Sequence, residues 1–295
     1  MVDERAAFAA GSLADWQDDW QAGRRLSTRG LNKIALAAGM LSRSGEALAR
    51  FDGFIRYLMG NYGYEAGDFL EISYNSVQDA DGWRPIPYDS THCDVTLKDV
   101  TAHVGRSLRW YRSVLPDDTR YHLIGYSLGG VALFEASGAL LFGEPDRWVG
   151  RLASVITLSA PLFGTDLGLE GDVLGALGFG ALLPGGQGVR ELVARGRDPR
   201  HRVAVERIAD RLRSLGVKLQ TLADPADIVV TPEDAIIAPP FERDRYLVNG
   251  PRATWTGGVG VPLGHGPLLS DTLAWVRMAQ LIGRQEPRAG SSEQA

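Results

Sequence analysis

The chain has a single cysteine, Cys93, so it can form no internal disulfide. Nor does any group of Cys and His residues have zinc-ligand spacing. Basic charge is scarce as well. The 31 Lys and Arg are outnumbered by 36 Asp and Glu, leaving a net charge of −5, whereas a nucleic-acid binder is expected to show a basic face. No apolar run reaches the ~18 to 20 residues that a membrane span needs. The start, "MVDERAAFAA", is charged and acidic and does not read as a secretory signal. These absences predict a soluble, cytoplasmic protein with no nucleic-acid partner, no transmembrane segment and no bound metal. Nothing in the sequence sets an oligomeric state.

What is abundant is glycine, 36 of 295 residues, against a usual share of about 7%. It concentrates around residues 164–188 and 257–266. The hydrophobic content of 44% suffices for a large core, and α/β chains of this length are commonly one domain. Strand and helix patterns alternate. "LNKIALAAG" (31–39) is a buried strand, and residues 44–63 carry Leu48, Phe51, Ile55 and Leu58 at helical spacing. "FLEISYN" (69–75) alternates as a strand. Residues 94–118 form the clearest helix, with Leu97, Val100, Val104, Leu108, Tyr111 and Leu115 in one stripe and Pro116 as its stop. Further strands are expected at 121–126, 151–161 and 217–224, and a last one in "RYLVNG" or "RATWTG". Helices are expected at about 129–142, 198–216 and 267–283. The helix at 198–216 has Asp198 at its cap, Pro199 in its first turn and Gly216 at its end. Such alternation implies βαβ units and a parallel sheet with helices on both faces. Ligands on such sheets lie at the carboxyl ends of the strands. Trp16 and Trp20 are expected to pack on the main body, and residues 284–295 to be a disordered tail. "DADGWRPIPYD" (79–89) reads as a turn, because Val77 stands where a calcium loop would need its first ligand.

One stretch carries chemistry. In "YHLIGYSLGGVALFEASGALL" (121–141), Ser127 stands between Gly125 and Gly129, with a strand before it and a helix after it. A sharp turn at Ser127 crowds the residues two before and two after, and glycine there leaves the room. Strain at Ser127 is tolerable where a fixed, exposed hydroxyl is needed. The helix start behind it offers unpaired N–H groups, so the Leu128 N–H can face a developing oxyanion. The competing reading is a structural serine in an ordinary strand-to-helix turn.

"IGYSLGG" resembles the nucleophile elbow of the α/β-hydrolase superfamily, particularly its serine esterases and lipases. The layout from about 31 to 283 is similar too. The resemblance implies an α/β fold, a mostly parallel sheet flanked by helices, with residues 1–295 as a single domain. It also implies a nucleophile, an acid and a histidine in that chain order. Of the five histidines, His265 lies in "VGVPLGHGPLLSD", between the last strand and the last helix, where the family places its base. His122 lies inside a strand, His103 and His201 lie on helices, and His92, in a loop, could stand on the substrate side. For the acid, "LQTLADPADIVVTPEDA" offers Asp227, which fits the family's pattern of an acidic residue followed by Val/Ile and Pro. Asp224 lies closer to the strand end and stays open as the alternative, with Asp234 a distant third.

The chain departs from the family where many members carry His-Gly after the first central strand. Gly39 is present but Ala38 replaces the histidine, so the second oxyanion N–H would come from the Met40 backbone. Tyr126 precedes the serine, where histidine is frequent. Residues 162–215 read as a cap insertion. Within it "APLFGTDLGLEGDVLGALGFGALLPGG" (160–186) is apolar and glycine-rich, which suits either a packed cap or a lid over an acyl pocket. The implied activity is cofactor-free cleavage of a small-molecule or lipid carboxylic ester through an acyl-enzyme. A thioesterase or acyltransferase with the same triad, and a non-catalytic binding protein on the same fold, are the alternatives.

Overall fold

The computed structural model describes residues 26–40, 42–80, 82–93, 95–165, 187–227, 229–237, 247–248 and 267–287. Along the chain come β1 (Asn32–Ala37), α1 (Glu46–Arg50), α2 (Asp52–Tyr62), β2 (Phe69–Glu71), β3 (Ser76–Asp79), β4 (Gly82–Pro85), α3 (Leu97–Val114) and β5 (Arg120–Tyr126). They are followed by α4 (Leu128–Gly143), α5 (Pro145–Trp148), β6 (Leu152–Leu158), α6 (Gln187–Gly196), α7 (Pro199–Ser214), β7 (Lys218–Leu222), α8 (Pro232–Ala235) and α9 (Thr272–Ile282). Among the described residues, five strands form one sheet in the order β2-β1-β5-β6-β7, with every pairing parallel. β3 and β4 form a separate antiparallel hairpin.

Period-two alternation sorts the strand side chains into two cores. Ala35, Ala37, Leu123 and Val155 face α3, α4 and α7, while Ile34, Leu36, Ile124 and Ile156 face α1, α2 and α9. β1 is buried along its whole length, as a central strand covered on both faces must be. α4 is apolar on every side and nearly all of it is buried, so it belongs to the interior rather than to a wet surface. Leu128, Val131 and Phe134 are each almost fully hidden, and each such side chain contributes roughly 1.5–3 kcal/mol. The carboxyl ends of β1, β5, β6 and β7 point the same way, and this shared edge positions the candidate site.

Several elements differ from expectation. Residues 44–63 form two helices because Phe51 leaves helical geometry at φ −91°, ψ 5°. The second helix is then free to set Gly53 against the Trp275 indole, which fills the space a Cβ would take. The strand expected at 69–75 stops at Glu71. Beyond it Ile72 still donates its N–H to Leu36, but Ser73 bonds Asn75 and Ile86 instead of continuing a ladder. The stretch read as a turn, 79–89, begins at the last residue of β3 and contains β4 of the hairpin. At 284–287, which the sequence placed in the tail, Leu31 N–H donates to Glu286 O, Gln285 N–H donates to Tyr62 O, and Gly30 pairs with Pro287, while 288–295 lie outside the described residues. The Gln285 side chain occupies the space that a Cβ on Gly30 would need. Asp198 caps α7 as expected, accepting from Arg200 N–H at 2.9 Å. α7 lies on α4, where Ile208 fills the gap at Gly138. Trp16, Trp20 and residues 166–186 of the expected cap lie outside the described residues. So does most of the last strand, although Leu247 makes a parallel bridge with Ala223.

Candidate active site

Ser127 joins β5 to α4 with φ 54° and ψ −127°, one of two non-glycine residues at positive φ among those described. Holding a side chain there costs of order 1–3 kcal/mol, an expense that surrounding contacts must sustain. The contacts are backbone to backbone. A Cβ on Gly125 would lie 2.5 Å from Gly129 O and from Gly130 N, and one on Gly129 would lie 2.3 Å from Ala38 O. Ser127 N–H donates to Leu158 O at 2.9 Å, and Gly130 N–H closes the turn onto Ser127 O at 2.9 Å. The glycine spacing thus has the steric cause read from the sequence. Leu128 is the first residue of α4, and the opening N–H groups of a helix have no acceptor within it.

The segment after β1 lies against the serine. A Cβ on Gly39 would sit 3.1 Å from Ser127 Cβ and 3.3 Å from the Tyr126 ring. Met40 follows and packs, partly buried, on the α3/α4 core. The Ala38 carbonyl accepts from the Tyr74 hydroxyl, and the Gly39 carbonyl accepts from Ser42 Oγ at 2.6 Å. Neither side chain was singled out in the sequence. Tyr74 sat in an alternating strand pattern and Ser42 in a loop, and neither has a signal before the fold brings them together.

The acid candidates share the turn after β7. Asp224 is buried and accepts from Ala226 N–H at 2.9 Å, while Asp227, also buried, accepts from Val229 and Val230 N–H at 2.9 Å each through Oδ1. Burial, and then the neighbouring Asp227 carboxylate, push the Tyr126 phenol well above its ordinary pKa. Asp227 therefore acts electrostatically on Tyr126, the residue that precedes Ser127. Asp234 is occupied elsewhere, capping α8 in a reciprocal box with Thr231.

His265 lies outside the described residues. The other four histidines each have a local partner. His92 Nδ1 is 2.9 Å from Asp89 and its Nε2 is 2.9 Å from Asn75 Nδ2. His103 Nδ1 is 2.8 Å from Ser76 Oγ, and His201 Nε2 is 2.8 Å from Leu162 O. Desolvation lowers the pKa of both. His122 is buried in β5, 2.8 Å from Ser154 Oγ, and desolvation brings it down to about 3.

A second serine was missed. Ser159, after β6, has φ 43°, is fully buried, and its Oγ has no hydrogen-bond partner among the described residues. Its N–H donates to Leu222 O, so it tops β6 between the elbow and the Asp224–Asp227 turn. Two strained serines on adjacent strand ends mark this edge as the place where strain is concentrated.

α6 is anchored to the body of the fold. Glu191 accepts from Leu97 N–H at 2.8 Å, and Arg195 pairs with Glu135 of α4. Among the described residues, no cluster of three or more His, Cys, Asp or Glu could hold a metal ion, and no helix is long and apolar enough to cross a membrane.

No family model and no curated protein matches the chain. Solved structures do. The lipase BlEst2 of Bacillus licheniformis in mature form is 14% identical, with 87% of this chain and 93% of that one covered and a TM-score of 0.51. The phospholipase PlaB of Legionella pneumophila, in complex with thio-NAD, is 15% identical over 67% of this chain, with a TM-score of 0.45. The match spans only 38% of the length of PlaB. A lipase-esterase related protein from Clostridium acetobutylicum ATCC 824 is 12% identical, covering 87% and 95%, with a TM-score of 0.43.

Proposed function

We propose that this chain, whose fold is that of the α/β-hydrolases, is a serine hydrolase of carboxylic esters in which Ser127 is the nucleophile. The observation that carries the reading is the elbow itself. A serine held at φ 54° between two glycines packed backbone to backbone, Gly125 and Gly129, at the head of a buried helix and the carboxyl edge of a parallel sheet, is a costly arrangement. An ordinary strand-to-helix turn has no need of it.

In this reading Ser127 Oγ adds to the ester carbonyl as the His265 imidazole takes its proton. The carbonyl oxygen becomes an oxyanion facing the backbone N–H groups of Leu128 and Met40. Collapse breaks the C–O bond to the alcohol, which leaves with the proton from His265, and an acyl-serine remains. Water repeats the cycle, giving up a proton to His265 and releasing the acid and Ser127. Asp227 holds the imidazole in one tautomer and offsets its positive charge. Asp224, on the same turn, is the alternative acid. The apolar, glycine-rich sequence of 166–186 supports a preference for esters with apolar acyl chains.

Turnover of a p-nitrophenyl ester series from short to long acyl chains tests this. Ser127→Ala and His265→Ala should each lower kcat by at least about 10³-fold, on the scale of triad deletions generally, while the melting temperature stays within a few degrees. Full activity in Ser127→Ala would dismiss the nucleophile, and activity retained in His265→Ala would dismiss the base.

A further inference from the structure

We propose that Ser42 and Tyr74 are positioning residues for the oxyanion hole, taking over the support that a histidine at position 38 would otherwise give. The proposal rests on the ester-hydrolase reading of Ser127. In a planar trans peptide the C=O of one residue and the N–H of the next point in opposite directions. Whatever grips a carbonyl therefore aims the following N–H. Ser42 Oγ grips the Gly39 carbonyl at 2.6 Å, which turns the Met40 N–H to the opposite side of that peptide. The Tyr74 hydroxyl grips the Ala38 carbonyl and fixes the peptide before it. Both side chains are completely buried, so water cannot substitute as donor.

The gripping groups are themselves fixed. Tyr74 packs edge-on against Tyr88 with ring centroids 5.0 Å apart, and the Tyr88 hydroxyl lies 3.5 Å from Ser42 Oγ. Tyr88 is tied back to the same loop through both backbone groups. Its N–H donates to Ser44 Oγ at 2.7 Å and its carbonyl accepts from Ser44 N–H at 2.9 Å. The far end of the loop is closed by Glu71, which accepts from Gly45 N–H at 2.8 Å and Ala47 N–H at 3.2 Å. Residues 38–40 and 42–47 are thus held at both ends and in the middle, directly beside the serine, where a Cβ on Gly39 would lie 3.1 Å from Ser127 Cβ. The loop has few choices of orientation, and a fixed donor is what transition-state stabilisation requires.

Ser42→Ala, Tyr74→Phe and Ser42→Thr test this, with kcat and KM measured on a p-nitrophenyl ester and the affinity of an alkylboronic acid measured beside them. The boronate forms a tetrahedral serine adduct whose oxygen occupies the oxyanion position. Ser42→Ala and Tyr74→Phe should each lower kcat about tenfold, less than the ~10²–10³ of deleting a donor outright. Boronate affinity should fall by the same factor, and KM should change less than twofold. Ser42→Thr, which restores a hydroxyl, should recover most of the kcat. A lowered melting temperature with kcat and boronate affinity unchanged would mean that these hydroxyls only stabilise the fold, and would overturn the proposal while leaving Ser127 as nucleophile. A wild-type chain that turns over no ester and binds no boronate would overturn both readings together.

Discussion

Ser127→Gly should make the protein more stable while abolishing its activity, and Ser127→Ala should abolish activity without the gain. At an ordinary position glycine is worse than alanine by roughly 0.5–1 kcal/mol, because the unfolded chain has more freedom to lose. At φ 54°, ψ −127° the order reverses. Alanine keeps the Cβ and therefore the strain of about 1–3 kcal/mol, while glycine removes it. The expected net advantage of glycine over alanine is about 0.5–2 kcal/mol. For a chain of this size that is a difference of roughly 1–4 °C in melting temperature. Denaturant titration and calorimetry of the two variants side by side give the number, because the shared loss of the hydroxyl cancels in the comparison. Equal stabilities, or glycine the less stable, would show that the elbow stores no strain and would remove the chief argument for a functional serine.

Two further outcomes follow from buried polar groups. Ser159→Gly should stabilise by about 1–2 kcal/mol, since it removes both a left-handed side chain and a buried hydroxyl with no partner among the described residues; chemical denaturation showing a loss would contradict this. Glu71 gives a pH signature. Burial raises its carboxyl from 4.5 to about 7, even though the Gly45 and Ala47 N–H groups act the other way. Between these values the folded state holds a proton that the unfolded state has released, so this group's stabilisation is complete below about pH 4.5 and is lost as pH rises through about 7. Buried His122, held down at about 3, acts with the opposite sign below pH 6.5 and partly masks the effect in the wild-type chain. Subtracting a Glu71→Gln variant removes that common term. The wild-type advantage over the variant should fall by up to about 3 kcal/mol between pH 4.5 and pH 8, and a difference that is flat with pH would refute the buried-carboxyl account.

The sheet and its flanking helices were legible because each central strand is a short apolar run and each long helix has an inner stripe, as with Leu97 to Leu115 in α3. The elbow was legible because two glycines at fixed offsets have one steric cause. What escaped the sequence depends on contacts made across the chain. Phe51 breaks a continuous periodic pattern so that Gly53 can meet Trp275, 222 positions away in the chain. The β3–β4 hairpin carries Trp83 outward under Arg106, 4.0 Å from its ring, and so lacks the inward apolar face that reads as a strand. Ser42, Tyr74 and Ser159 are ordinary residue types whose importance comes only from where carbonyls and strand ends lie around them.

The most direct test of the central claim is to react the folded protein with a fluorophosphonate, digest it, and locate the adduct by peptide mass spectrometry. The account predicts one modified residue, Ser127, with labelling that is stoichiometric in the wild-type chain and slowed at least 10²-fold in His265→Ala, the scale on which a positioned general base acts. An unmodified Ser127, or label spread over Ser159 and surface hydroxyls at the same rate in both proteins, would contradict it.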